Sequence, residues 1–132
     1  MRGGIAQISL YSKIASNVEK ISSYIRSAAK LGLDLLCFPE CSLTGYKHDF
    51  HKINWNEITK ALDKLQQLVT DEDITIVVGT SWLETGKIYN AALVISANDR
   101  LKFFKKNLTE FDTQYFAAGK DTLSFEVKGI RC

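Results

Sequence analysis

No run of apolar side chains in this 132-residue chain is long enough to cross a bilayer. The opening Met1-Arg2-Gly3-Gly4 leads into a strand pattern without the apolar core of a secretory signal. Membrane partners are therefore not expected, and the chain reads as cytoplasmic. Neither sign of charge dominates: 17 basic against 15 acidic residues leave +2. No basic cluster is interleaved with aromatics, which argues against a nucleic-acid partner. Cysteine is scarce, with three at irregular spacing, as suits reduced thiols rather than a disulfide framework. Cys37 and Cys41 have a metal-like gap but no second pair, and His48 and His51 complement them poorly, so no metal is expected. Internal repeats, low-complexity tracts, linkers and a glycine-rich phosphate cradle are missing too. One domain spanning 1–132 remains, with no cofactor expected.

What is present alternates between strand and helix patterns. Ile5 to Leu10 reads as a short strand. Ser16 and Glu19 have capping-box spacing ahead of Val18, Ile21, Ile25, Ala28 and Ala29 at helical period, and Gly32 stops that helix. Leu33 to Phe38 is apolar on both faces, as in a strand covered on both sides, and completes a βαβ unit. The irregular loop Tyr46 to Asn54 follows, in a position to shape a pocket. Asn54 with Glu57 opens a second helix, with Ile58, Ala61, Leu62, Leu65, Leu68 and Val69 as its inner stripe. Ile74 to Thr80 predicts a third strand. Ile88 to Ser96 and Leu101 to Lys105 form a hairpin around residues 97–100, so parallel winding gives way to antiparallel pairing. Leu123 to Val127 and Ile130 to Cys132 suggest another hairpin, turning at Lys128-Gly129.

Two residues stand where chemistry is done in open α/β folds. Pro39 ends the second strand and Glu40 follows at its carboxyl end, a position that faces ligand in such sheets. Alternation places Lys105 on one face with Leu101 and Phe103, and Lys106 on the other with Lys102 and Phe104. A half-buried ammonium needs a carboxylate partner or developing negative charge to stabilise. With a cysteine added, such a set suits acyl transfer: the thiolate attacks, the carboxylate moves protons and the ammonium steadies charge. Each residue also has a plain structural reading, as a turn cap, a surface lysine or a small buried hydrophobe.

The segments Leu36-Cys37-Phe38-Pro39-Glu40 and Leu43-Thr44-Gly45-Tyr46 resemble the glutamate motif of the nitrilase superfamily of carbon-nitrogen hydrolases. Phe103-Phe104-Lys105-Lys106-Asn107-Leu108, followed by Tyr115-Phe116-Ala117-Ala118-Gly119, is similar to its lysine motif. Gly129-Ile130-Arg131-Cys132 is similar to the approach to its nucleophilic cysteine. Ile5-Ala6-Gln7, Gly79-Thr80-Ser81-Trp82 and Tyr89-Asn90-Ala91-Ala92 extend the resemblance over nearly the whole chain. It implies an α-β-β-α sandwich, here its amino-terminal half, that pairs in homodimers and needs no metal or organic cofactor. It implies Glu40 as general base, Lys105 as stabiliser of the tetrahedral intermediate and Cys132 as nucleophile, acting on a small amide or nitrile and releasing ammonia or an amine. Tyr46 is a candidate substrate contact.

The chain departs from that pattern at three places. Asn107 stands where family members often carry histidine. A second glutamate ahead of the aromatic pair is replaced by Asp112, or by Glu110 two positions earlier, and the shorter Asp112 has farther to reach to orient Lys105. The sequence also stops on Cys132 whereas family domains continue; if Cys132 is truly the last residue, its terminal carboxylate disfavours the thiolate and no following N–H helps hold an oxyanion. The expectation is a hydrolase fragment inactive by itself. A non-catalytic, dimerising or partner-binding half-domain is the alternative, and an unrelated flavodoxin-like domain would leave Lys105 and Cys132 unexplained. Amide, nitrile, carbamoyl amine and glutamine remain open as substrates.

Overall fold

The computed structural model describes residues 1–46 and 50–132 as one helical layer laid on one sheet. Five strands lie side by side in sequence order: β1 (Gly3–Ile5), β2 (Leu35–Cys37), β3 (Thr75–Glu84), β4 (Lys87–Ile95) and β5 (Arg100–Phe104). The first three are parallel, and β3, β4 and β5 are antiparallel neighbours. Two helices, α1 (Ile14–Lys30) and α2 (Trp55–Asp71), supply the crossovers that parallel strands require. A separate two-stranded hairpin, β6 (Glu126–Val127) and β7 (Ile130–Arg131), ends the chain. No helix among the described residues is long and apolar enough to cross a membrane.

Both helices form for the reason their periodicity suggests. Ile21 and Ile25 of α1 and Leu62, Leu65 and Val69 of α2 are fully buried, and they cover Leu36, Ile76, Val78, Leu93 and Ile95 on one sheet face. At α2 the expected cap forms: Asn54 Oδ1 accepts the Asn56 N–H at 3.1 Å and its amide reaches Glu57 at 3.3 Å. At α1 it does not. The helix starts earlier, behind Lys13, which provides no side-chain cap, so Ser16 lies inside the first turn. Gly32, at φ 67°, ends α1 as expected.

Three strand readings shift. Pairing of β1 covers Gly3–Ile5 rather than Ile5 to Leu10; only Ala6 continues it, with its N–H on the Cys37 carbonyl at 2.8 Å. The buried Ala6 and Ile8 show that the apolar alternation there marks burial and not a ladder. Strand β3 runs on to Glu84 and turns back through Thr85 and Gly86, both at positive φ, so antiparallel pairing begins one strand earlier than expected. The expectation that β2 is covered on both faces is corrected: the face away from the helices carries Ile5, 86% exposed, with Cys37, Val77 and Phe103 half-buried.

Beyond Cys37 the chain leaves the ladder but stays docked on β3. Phe38 donates to the Val77 carbonyl at 2.8 Å and Leu43 to the Gly79 carbonyl at 2.9 Å. Ser42 Oγ receives the Gly79 N–H at 3.1 Å and donates to its carbonyl at 3.2 Å, and Thr44 Oγ1 receives the Ser81 N–H at 3.1 Å. Hydroxyls thus replace a neighbouring strand along this stretch of β3. The contact is close enough to require glycine: a Cβ on Gly79 would lie 2.4 Å from the Pro39 carbonyl oxygen and 2.5 Å from the Cys41 nitrogen. Gly79→Ala is therefore expected to destabilise the chain by about 1–3 kcal/mol, the usual cost of overpacking, while Lys60→Ala on the outer face of α2 changes stability by less than about 0.5 kcal/mol. Urea unfolding of both variants checks this, and equal midpoints would remove the close-approach argument.

Candidate active site

Glu40 projects from the turn after β2, at the carboxyl end of the parallel strands, and Lys105 stands one residue past β5 on the sheet face away from the helices. Between them runs β4, whose Asn90 accepts the Lys105 N–H on its carbonyl at 2.8 Å. Lys105 Nζ lies 2.8 Å from Glu40 Oε1 and 2.8 Å from Asp112 Oδ2. The alternation argument is met in its particulars: Lys106 is exposed, and Lys102 points to the other face, where it pairs with Glu84 and lies 5.5 Å from the Trp82 ring centre.

The two carboxylates grip Lys105 differently. Asp112 is 1% exposed, at the start of a one-turn 3-10 helix, Asp112–Gln114. Its Oδ2 also accepts the Thr109 N–H at 3.1 Å, and its own N–H donates to Thr109 Oγ1 at 3.1 Å. This reciprocal pair lets the shorter side chain span the distance to Lys105. A buried carboxylate left without a partner costs several kcal/mol, so the Asp112–Lys105 pair is an anchor. Glu40, with its side chain 41% exposed, makes a bond worth at most about 1 kcal/mol after solvent screening. Lys105 is held by Asp112 and presented to Glu40.

The electrostatics agree. The Lys105 ammonium is pushed well above the usual lysine range, first by its bond to Asp112 and then by Glu40. Burial works to raise the Asp112 pKa, but the ammonium and the Thr109 donors outweigh it and leave the carboxyl below its ordinary value. Tyr46, whose hydroxyl is 3.4 Å from Asp112 Oδ1, is raised by burial and then by the charge of Glu40, so it remains a neutral phenol beside the cluster. Cys41, fully buried, has its thiol pushed up to about 12 by burial and by Glu40 and Asp112. That disqualifies it as a thiolate near neutral pH.

A cleft of about 270 Å³ opens on Glu40 and Lys105, walled by Phe38, Val77, Ala92 and Phe103. A larger one of about 430 Å³, between Trp55, Ile88 and Tyr115, contains neither residue of the pair. Tyr46 stands at the cluster; of the loop it begins, residues 47–49 lie outside the described residues. Phe50 beyond them is fully buried, its ring 4.5 Å from that of Phe116. Of the residues weighed as metal ligands, His48 and the side chain of His51 lie outside what is described.

Cys132 is not brought to the pair. Its thiol is exposed, 4.0 Å from Met1 Sδ and 3.7 Å from the Ile130 carbonyl oxygen. The cause is the docking of the final hairpin. Lys128, in the turn between β6 and β7, pairs with Asp73 at 2.8 Å, at the amino-terminal end of β3, whereas Glu40 sits at the carboxyl end of the parallel neighbour β2. Asn90 is the site residue to which the sequence reading assigned no role, and it donates from Nδ2 to Glu40 Oε1. The signal available was a lone amide within the otherwise apolar run Ile88 to Ile95.

Comparison with known proteins connects these features. The chain is 32% identical over 122 residues to a glutamine-dependent NAD(+) synthetase from Acinetobacter baylyi, covering 88% of this chain and 23% of the synthetase. To an aliphatic nitrilase from Rhodococcus rhodochrous it is 28% identical over 110 residues, covering 71% of this chain and 30% of the nitrilase. The structure of a glutamine-dependent NAD+ synthetase from Acinetobacter baumannii superposes with a TM-score of 0.86 at 32% identity, over 96% of this chain and 26% of that one. An amidase from Nesterenkonia sp. shares the fold with a TM-score of 0.86 at 18% identity, over 99% of this chain and 53% of the amidase. The chain thus spans about a quarter of the synthetases' length and about half of the amidase's. The family model described as carbon-nitrogen hydrolase matches residues 4–126, and with the nitrilase-type fold and these relatives it establishes that the chain belongs to the carbon-nitrogen hydrolase family.

Proposed function

We propose that the chain supplies the acid–base half of an amide-hydrolysing site, with Glu40 as general base and Lys105 as the cation that stabilises the tetrahedral intermediate. The observation that carries this is the shared hold on Lys105 Nζ, 2.8 Å from both the buried Asp112 and the accessible Glu40. An ammonium fixed by a buried carboxylate needs no reorganisation to meet an oxyanion forming in the cleft, which is the condition for electrostatic stabilisation. Glu40, exposed to that cleft, takes the proton of an attacking thiol, returns it to the departing ammonia or amine, and then activates water to release the acid. Asp112 positions Lys105, and Tyr46 faces the substrate as a neutral donor. Small amides are the proposed substrate class. The apolar walls of the cleft suit a short acyl group, and the synthetase relatives, glutamine-dependent by name, add glutamine to the candidates.

Cys132 enters this scheme as the thiol assigned from sequence. To act there it must leave Met1 and reach the carboxyl end of the sheet, so its role is tested separately by Cys132→Ala. A second reading, a dimerising or partner-binding module without catalysis, is favoured by the uncovered sheet face bearing Ile5, Val77 and Phe103.

Ammonia release from short aliphatic amides, nitriles and glutamine, measured with and without a supplied carboxyl-terminal segment of a carbon-nitrogen hydrolase, tests the proposal. Turnover is expected in the complemented sample, falling at least about a hundredfold in both Glu40→Gln and Lys105→Ala. Unchanged rates in either variant reject that residue's role, and absence of turnover under every condition favours the partner-binding module. The ion pairs also predict a pH dependence of stability. Asp112, lowered in the folded chain, contributes stability above its unfolded value of about 3.9, and this is lost as pH falls through the folded value. Lys105, raised, contributes below about 10.4 and loses its contribution as pH rises through its folded value. Urea midpoints should thus drop more steeply on acidification below about pH 4 in the parent chain than in Asp112→Asn. Parallel acid profiles would show that Asp112 is not held as described.

A further inference from the structure

We propose that Asn90 is a positioning residue that sets the separation of Glu40 from Lys105, gripping the backbone of the one and the carboxylate of the other. The inference rests on the roles proposed above for that pair. Asn90 is 3% exposed in the middle of β4, paired with Ser81 of β3. Its carbonyl accepts the Lys105 N–H at 2.8 Å, and its Nδ2 donates to Glu40 Oε1. A single residue in a central strand therefore touches both members of the pair, which come from sequence positions 65 apart.

The orientation of the amide follows from its surroundings. Asn90 Oδ1 faces Cys41 Sγ at 4.0 Å. That thiol keeps its proton at neutral pH, because burial holds its pKa at about 12, so it can donate weakly to the oxygen opposite. The NH2 group is left for Glu40, which is an acceptor when ionised. Both ends of a buried amide are satisfied, which avoids the cost of about 1–3 kcal/mol for an unpaired polar group.

The bonds from Asn90 and Lys105 both fall on Glu40 Oε1, which leaves proton exchange to Oε2. Without Asn90, a side chain that is 41% exposed would be tied to the sheet mainly through a screened ion pair and would swing with its own χ angles. Misplacement of a catalytic group by about 1 Å costs on the order of a hundredfold in rate.

Two measurements test the proposal. In proton–nitrogen correlation spectra of the chain, the side-chain amide signals of Asn90 should be displaced clearly in Glu40→Ala and less in Glu40→Gln, whose side-chain oxygen can still accept the bond. In the ammonia assay, Asn90→Ala is expected to lower kcat about a hundredfold with KM within about threefold, measured below a melt that stays cooperative. Asn90→Asp, which keeps size and packing but replaces the NH2 donor, should fall as far. Near-parental kcat in Asn90→Asp assigns the residue to packing and overturns the proposal, as does an Asn90 amide indifferent to Glu40. Should the parent show no turnover in any form, the hydrolase reading fails, while the amide displacement still decides whether Asn90 holds Glu40.

Discussion

The ion pair between Lys105 and the buried Asp112 is the constraint on which the site depends. Removing one partner would leave an uncompensated charge in a place with little water, so the lysine cannot relax into solvent as an ordinary surface lysine does. Everything near it is arranged around that fixed cation. Thr109 supplies a second donor to the same carboxylate oxygen, the start of a single 3-10 turn points Asp112 inward, and Tyr46 closes the cluster as a neutral phenol. Glu40 is the accessible partner, held by a weaker, screened bond, which fits the general-base role proposed for it.

Placing Glu40 against that cation takes an irregular piece of chain laid along a regular strand. After Cys37 the backbone gives up ladder pairing, and the hydroxyls of Ser42 and Thr44 take over the bonds that β3 would offer a neighbouring strand. Gly79 permits this because its missing side chain leaves room for the Pro39–Cys41 backbone. The motif around Glu40 is thus as much a docking device for the turn as a carrier of the acid. Its serine, threonine and facing glycine are needed whether or not a substrate is present.

Helices, their inner faces, the β4–β5 hairpin and the final hairpin were legible, because each rests on periodicity or a turn signal within a short window, whereas the change to antiparallel pairing was placed one strand late. The α1 capping box failed since Ser16 and Glu19 have suitable spacing while burial of Ile14 draws the helix start forward to Ile14. The extension of β3 to Glu84 was missed because Ser81, Leu83 and Glu84 break the β-branched pattern, yet pairing with β4 through Glu84 and Lys87 carries the strand on. The hydroxyl pairing of Ser42 and Thr44 had no local signature, since their partners lie 37 positions away.

From sequence alone came the family resemblance, the identity of Glu40 and Lys105 as candidates, and the face on which Lys105 lies, because motif order and strand alternation are properties of the chain read in one dimension. The tertiary structure decided what meets what. It closed the gap to Lys105 with Asp112 despite the shorter side chain, brought in Asn90, kept the Cys41 thiol protonated, and left Cys132 beside Met1 at the other end of the strands. Those outcomes depend on through-space distances between segments tens of residues apart and on local burial. Neither is encoded in spacing, and both emerge only when the sheet is assembled.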